Sequence, residues 1–180
     1  MNKQRIVLGS GKLYIDEFDG STVPSRSTME VDNKLLGLIK NGAELVYASE
    51  TYTAEDDLGL AKKTILTKET VTLKSGIMTW NMKTLEKLCA TARVTDSTTE
   101  RIAKIGGVGN QDGKSYVVFF VHEDKADGDI TAAIVGKNTA GLTIAFKKDA
   151  ETVIDAEFTA EPQDGDGTLV LLTEEVKEEE

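Results

Sequence analysis

Apolar and polar residues alternate along most of this chain, and only one stretch changes to a helical period. The clearest alternation covers 152–160, where Ile154, Ala156, Phe158 and Ala160 share one face and Val153, Asp155, Glu157 and Thr159 the other. That pattern predicts a strand with one covered face. Tyr116, Val117, Val118, Phe119, Phe120 and Val121 run without interruption inside 115–122, as in a strand covered on both faces. Over 79–93 the spacing changes: Met82, Leu85, Leu88, Cys89 and Ala92 recur at three- and four-residue steps. A helix over about 80–93 is expected, roughly 20 Å long. Asn81 or Thr79 would cap its first turn, and Lys87 and Arg93 lie toward its negative end.

Shorter strand patterns fill most of the remainder: 5–8, 12–18, 29–31, 35–39, 43–53, 63–74, 99–105, 129–135, 142–147 and 168–172. Within 63–74, Ile65, Val71 and Leu73 are expected on one face, paired with 43–53. Asn41-Gly42 reads as a turn, and 19–28, with Gly20, Pro24 and its serines, as a loop. Many short strands with one helix predict a mainly β fold, a sandwich or barrel with a flanking helix.

Residues 49–62 fit neither core nor simple turn. Glu50, Glu55, Asp56 and Asp57 are interleaved with Tyr52, Leu58 and Leu60, too sparse an apolar set for a core element. A long protruding hairpin or arm is expected, of the kind that becomes ordered by a partner. No internal repeat or linker divides the chain, so 1–173 reads as one β domain, followed by an acidic tail over 174–180.

Charge narrows the possible partners. The net charge is −10, and residues 161–180 account for −7 of it, eight acids against Lys177. This balance opposes tight nucleic-acid binding, which needs lysine and arginine to release counterions. With 39% hydrophobic and 29% charged residues the composition is that of a folded globular protein, not a disordered one. No apolar run is long enough for a membrane helix, and the first five residues lead into no signal-peptide core. Cys89 is the single cysteine, so no intrachain disulfide is expected and cytosolic synthesis is the default.

Several segments imitate catalytic or metal-binding motifs. The glycine-rich segment 106–115 imitates a phosphate loop, but Val108 stands where its first glycine is required, and a strand follows instead of a helix. His122 is the only histidine; Glu123 and Asp124 follow it, but nothing has metal-site spacing with it. A strand-end histidine is the simpler reading, and no nucleophile–histidine site is built around it. Cys89, Trp80 and Met82 read as packing residues of the helix. Asp127-Gly128-Asp129 and the turn at Asp164 to Asp166 lack calcium-loop spacing. No catalytic, cofactor or metal site is therefore expected.

A resemblance adds what the motifs withhold. The stretches LGSGKLYIDEFDG, DDLGLAKKTILTKETVTLKSGIMTWN, LEKLCATARVT and KIGGVGNQDGKSYVVFFVH occur in that order. IVGKNTAGLTIAFKKDAETVIDAEFTAEPQDGDGTLVLL and the acidic end follow. Together they resemble major tail tube proteins of long-tailed bacteriophages and prophage elements of Gram-positive hosts. The resemblance spans nearly the whole chain and rests on the order of many short segments, with 19–28 contributing little. It implies a virion protein, made in the host cytoplasm, whose β domains form rings, hexameric as a rule, that stack into the conduit for DNA ejection. Implied partners are further copies of the chain and the tip or baseplate, terminator and tape-measure proteins. DNA is met only in passage, without specific binding, and no membrane is involved. On this reading the arm supplies intersubunit contacts through Tyr52, Asp56, Asp57, Leu58, Leu60, Lys62 and Lys63.

Two other classes remain open on sequence. One is a non-catalytic β-sandwich binding module, a tail decoration or a carbohydrate- or protein-binding domain, which lacks a clustered aromatic platform in this sequence. The other is a β-barrel enzyme or small-ligand binder, for which no catalytic set is found.

Overall fold

Ten strands and two short α-helices organise residues 6–177, the part of the chain that the computed structural model describes. The strands are β1 (Lys12–Glu17), β2 (Leu35–Gly37), β3 (Ile39–Glu55), β4 (Lys62–Ile77), β5 (Arg93–Asp96), β6 (Arg101–Lys104), β7 (Tyr116–His122), β8 (Ile130–Asn138), β9 (Ile154–Glu161) and β10 (Leu171–Glu174). The helices are α1 (Arg26–Met29) and α2 (Met82–Leu88). Eight strands form one antiparallel sheet in the order β2-β1-β7-β8-β9-β4-β3, with β10 added beside β8, and β5 and β6 form a separate hairpin.

The sheet curls because its two end strands are consecutive in sequence. Only Leu38 separates β2, at one end of the order, from β3, at the other. One bent segment therefore pairs first with β1 and then with β4, and the sheet wraps around its contents. A single buried cluster accordingly draws from the strands around the sheet: Leu13 and Ile15, Leu36, Val71, Leu73 and Ile77, Tyr116 and Val118, Ile134, and Ile154, Ala156 and Phe158. Ile39, Ala43 and Leu45 of β3 pack against it. Leu85 and Leu88 of α2 complete it, so the helix covers this core as its period predicted.

β7 is buried on both faces, in agreement with its apolar run. Tyr116 and Val118 face the first cluster, while Val117, Phe119 and Val121 face a second with Tyr14, Met29, Ala133 and Val135. β8 divides its outer edge between two partners: Ile130 to Ala133 pair with β10, and Val135 to Asn138 with β9. At this divide an added Cβ on Gly136 would lie 2.0 Å from the Thr159 carbonyl oxygen, so only glycine lets the two backbones approach.

Several elements depart from the sequence reading. The helix stops at Leu88 instead of continuing to 93. Cys89 has an extended backbone, and Thr91, Val94 and Thr95 are β-branched, so the chain turns into β5. Asn81 is the observed cap, its side chain accepting the Lys83 amide at 3.0 Å. Asn41-Gly42 is not a hairpin turn but a bulge inside β3. Lys40 pairs with Gly76 and Ala43 with Ser75, leaving Asn41 (φ 64°) and Gly42 (φ 75°) looped out. Residues 29–31 belong to α1 and the bend after it, not to a strand. Residues 6–8 are exposed and irregular, and Arg5 of that expected strand lies outside the described residues. Residues 142–147 do alternate, with Leu142 and Ile144 against the core, yet they pair with no strand and belong to an irregular loop, 139–153.

The acidic end begins later than the sequence implied. Glu174 is the last residue of β10, opposite Ile130. Beyond it, the Glu175 amide donates to the Asp129 carbonyl at 2.8 Å, and Glu175 Oε2 accepts the Asp129 amide at 3.1 Å. The remaining acids of the expected tail, 178–180, lie outside the described residues.

Candidate assembly surfaces

β3 and β4 pair from Ile39↔Ile77 out to Glu55↔Lys62, but β9 supports β4 only from Thr72 to Ile77. The change is visible in burial. From Thr70 to Ile77, β4 alternates buried and half-buried residues, whereas every residue from Lys62 to Glu69 is exposed. The facing part of β3 is exposed from Tyr47 to Glu55. The outer ribbon thus projects roughly 25–30 Å beyond the last supported pair at about 3.3 Å per residue. The sequence placed this arm at 49–62. Its second strand extends the arm to Glu69, because polar and apolar residues also alternate in 63–69 without a face to cover.

An isolated two-stranded ribbon is marginal in water, so its cross-links matter. Thr53 and Thr64 hydroxyls bond at 2.9 Å, Lys68 reaches Glu50 at 3.0 Å, and Tyr47 donates to Glu69 at 2.8 Å. Thr67, the extra residue of a second bulge, donates its hydroxyl to the Glu50 carbonyl at 3.1 Å. The tip is organised by Asp56. Its Oδ1 accepts the Ala61 amide at 2.5 Å and its Oδ2 the Leu58 amide at 3.3 Å. The Ala61 bond in particular holds the Asp56 carboxyl below the usual carboxylate range.

The residues singled out from sequence gather at this end of the arm. Tyr52 pairs opposite Ile65, and Lys63 opposite Ala54. Asp57, Leu58 and Leu60 occupy the turn, with Leu58 80% and Leu60 83% exposed. Lys62 sits 3.6 Å from Glu55 within the same hairpin. Asp56 and Lys62 are therefore engaged inside the arm, whereas both leucines face solvent. Ile65 was expected beside Val71 and Leu73 but is exposed, since it lies beyond the bulge and past the end of the core.

A second exposed apolar surface escaped the sequence reading. Leu38 and Met78 are exposed at the base of the ribbon, where the Met78 amide donates to the Leu38 carbonyl at 2.8 Å. The Leu38 amide donates to Thr79 Oγ1 at 2.9 Å. Trp80, half exposed, contacts Phe146 with ring centroids 5.9 Å apart and planes tilted by 49°. Phe146 is itself 80% exposed, on the irregular loop before β9. Trp80, expected to pack with the helix, instead precedes the Asn81 cap and is half exposed. Only its contact with a residue 66 positions away reveals the patch, and no local spacing encodes that contact.

The remaining candidates lie elsewhere in the fold. His122 ends β7, buried, with Nδ1 2.8 Å from the Ser10 carbonyl and Nε2 without a partner among the described residues. Cys89 follows α2, its sulfur 3.6 Å from Thr91 Oγ1. Segment 106–115 contains a short 3-10 turn (Val108–Asn110) and leads into β7, with no helix to receive phosphate. Among the described residues no group of three or more His, Cys, Asp or Glu side chains is placed to hold a metal ion. No protein-family model matches this chain, and no curated protein matches it.

Proposed function

We propose that this protein is a structural subunit that self-assembles into stacked rings, forming the tail tube of a long-tailed phage or prophage element. The observation that carries this reading is the β3–β4 ribbon, projecting from a closed β core with its large apolar side chains in solvent. A lone subunit gains nothing from Leu58 and Leu60 at its tip. Buried against a neighbour, each would contribute about 1.5–3 kcal/mol, repeated around every ring. The order of segments that resembles tail tube proteins supports the same reading.

Unpaired strand edges supply a route to lateral contacts. The outer edge of β3 and that of β10 each lack a strand partner within the described residues. Two different edges meeting head to tail generate a ring when the rotation closes. The acidic character of the chain suits a conduit, because carboxylates toward the lumen repel DNA phosphates. A carbohydrate-binding module would have to use Trp80 and Phe146, but rings tilted by 49° do not form the flat platform on which a sugar face stacks.

Sedimentation velocity over a concentration series, with and without the cognate tip or baseplate proteins, tests the proposal. Ring-sized and larger species are expected as concentration rises. A strictly monomeric chain under every condition, initiator included, would overturn it.

A further inference from the structure

The two exposed apolar surfaces lie at opposite ends of one ribbon. From Ile77 at the base to Lys62 beside the tip, β4 runs sixteen residues, roughly 45–50 Å at 3.3 Å per residue. While the β3–β4 ladder is intact, the tip therefore cannot fold back onto its own base. The surfaces also differ in charge. The tip turn, 56–61, contains Asp56 and Asp57 and no base, and Asp57 carries no hydrogen bond or ion pair with the described residues. At the base, Lys147 and Lys148 follow Phe146 and pair with no acid among the described residues, although Asp149 comes next in sequence.

We infer that the arm tip of one subunit docks on the base patch of a second copy, placing Leu58 and Leu60 against Trp80 and Phe146, with Asp57 facing Lys147 and Lys148. The inference rests on the stacked-ring reading and names the surface that receives the arm. The contact is heterologous: every copy carries one tip and one receptor, aimed in opposite directions along the ribbon. Repeated contacts of this kind propagate without closing, which gives a polar stack whose ends are not equivalent. Each desolvated aromatic–leucine contact supplies affinity, while the aspartate–lysine contact fixes which end meets which.

Paired cysteines test the contact directly. In a Cys89→Ala background, Leu60→Cys and Phe146→Cys are introduced singly and together, and the concentrated protein is oxidised. A ladder of disulfide-linked multimers is expected from the double variant and from neither single variant. Tubes that form without a ladder would overturn the docking and leave the tube reading intact. An intramolecular disulfide in the monomer would also overturn it, since the tip would then reach its own base. A ladder without rings or tubes would support the contact while removing the tube reading. Charge reversal gives a second test that does not depend on the cysteine variants folding. Lys147→Glu with Lys148→Glu should raise the concentration needed for assembly about ten-fold or more, and Asp57→Lys should recover part of that loss. Unchanged assembly in the reversed variant, or no recovery from the compensating change, would count against the contact.

Discussion

The Leu38 carbonyl accepts the Met78 amide at 2.8 Å, at the corner where the chain passes from one end of the sheet to the other. This single junction closes the β core and fixes the base of the projecting ribbon. It also leaves Leu38 and Met78 exposed on the surface there, with Trp80 two residues on. Core closure and the proposed receiving surface are consequences of the same bend.

The ribbon should be separable from the fold. Ala48 pairs with Thr70, so joining them through Asn-Gly removes residues 49–69 and leaves a two-residue hairpin. The removed segment is exposed throughout and makes no core contact. The variant should keep the wild-type melting temperature within a few degrees and lose stacking, leaving isolated subunits or unstacked rings. Thermal denaturation and sedimentation check the two halves of this expectation separately.

Asp56→Ala should loosen the tip alone. The carboxylate accepts the Ala61 and Leu58 amides, and these bonds favour its charged form. A carboxylate whose folded pKa is depressed contributes order above its ordinary value, 3.8, and loses it as pH falls through the folded pKa. The Ala61 and Leu58 amides should therefore exchange faster in the variant at neutral pH, and in the wild type on acidification below about 3.8. Hydrogen exchange followed by NMR reads both, and the core amides should not change.

Leu88 is 2% exposed, within the main core cluster, and Leu88→Ala should destabilise the fold by about 2–5 kcal/mol. Urea denaturation measures the loss. Asn138 ties the same helix down, its side-chain amide donating to the Leu88 carbonyl at 2.8 Å and to the Gly141 carbonyl at 2.7 Å.

Truncation at the C-terminus should depend sharply on position. Ending the chain after Thr173 removes the Glu174–Ile130 pair and both bonds between Glu175 and Asp129. A loss of about 1–2 kcal/mol is expected, at roughly 1 kcal/mol or less for each exposed hydrogen bond. Ending it after Lys177 keeps all of these bonds and should retain that part of the stability.

Strands were legible where one face or both faces meet the core. The alternation at Ile154, Ala156 and Phe158 and the unbroken run of β7 are recorded in the chain itself. Periodicity misled where a residue fitted two patterns. Cys89 and Ala92 fall in helical register, but they lead into the β-branched start of β5, where extended backbone wins. Asn41-Gly42 signalled positive φ correctly, but a bulge uses that conformation as readily as a turn does. The arm was recognisable from its interleaved acids and leucines, while its true length depended on where β9 stops supporting β4. The Trp80–Phe146 surface was not legible, because it arises from a distant loop folding against the base of the ribbon.

Electron microscopy of the concentrated full chain beside the variant lacking 49–69 tests the central claim most directly. The wild-type protein should show hollow rings or tubes, and the variant, equally folded, isolated subunits or unstacked rings. Tubes of normal length from the variant, or no assembly from the wild-type chain even with its tip or baseplate proteins, would contradict the account.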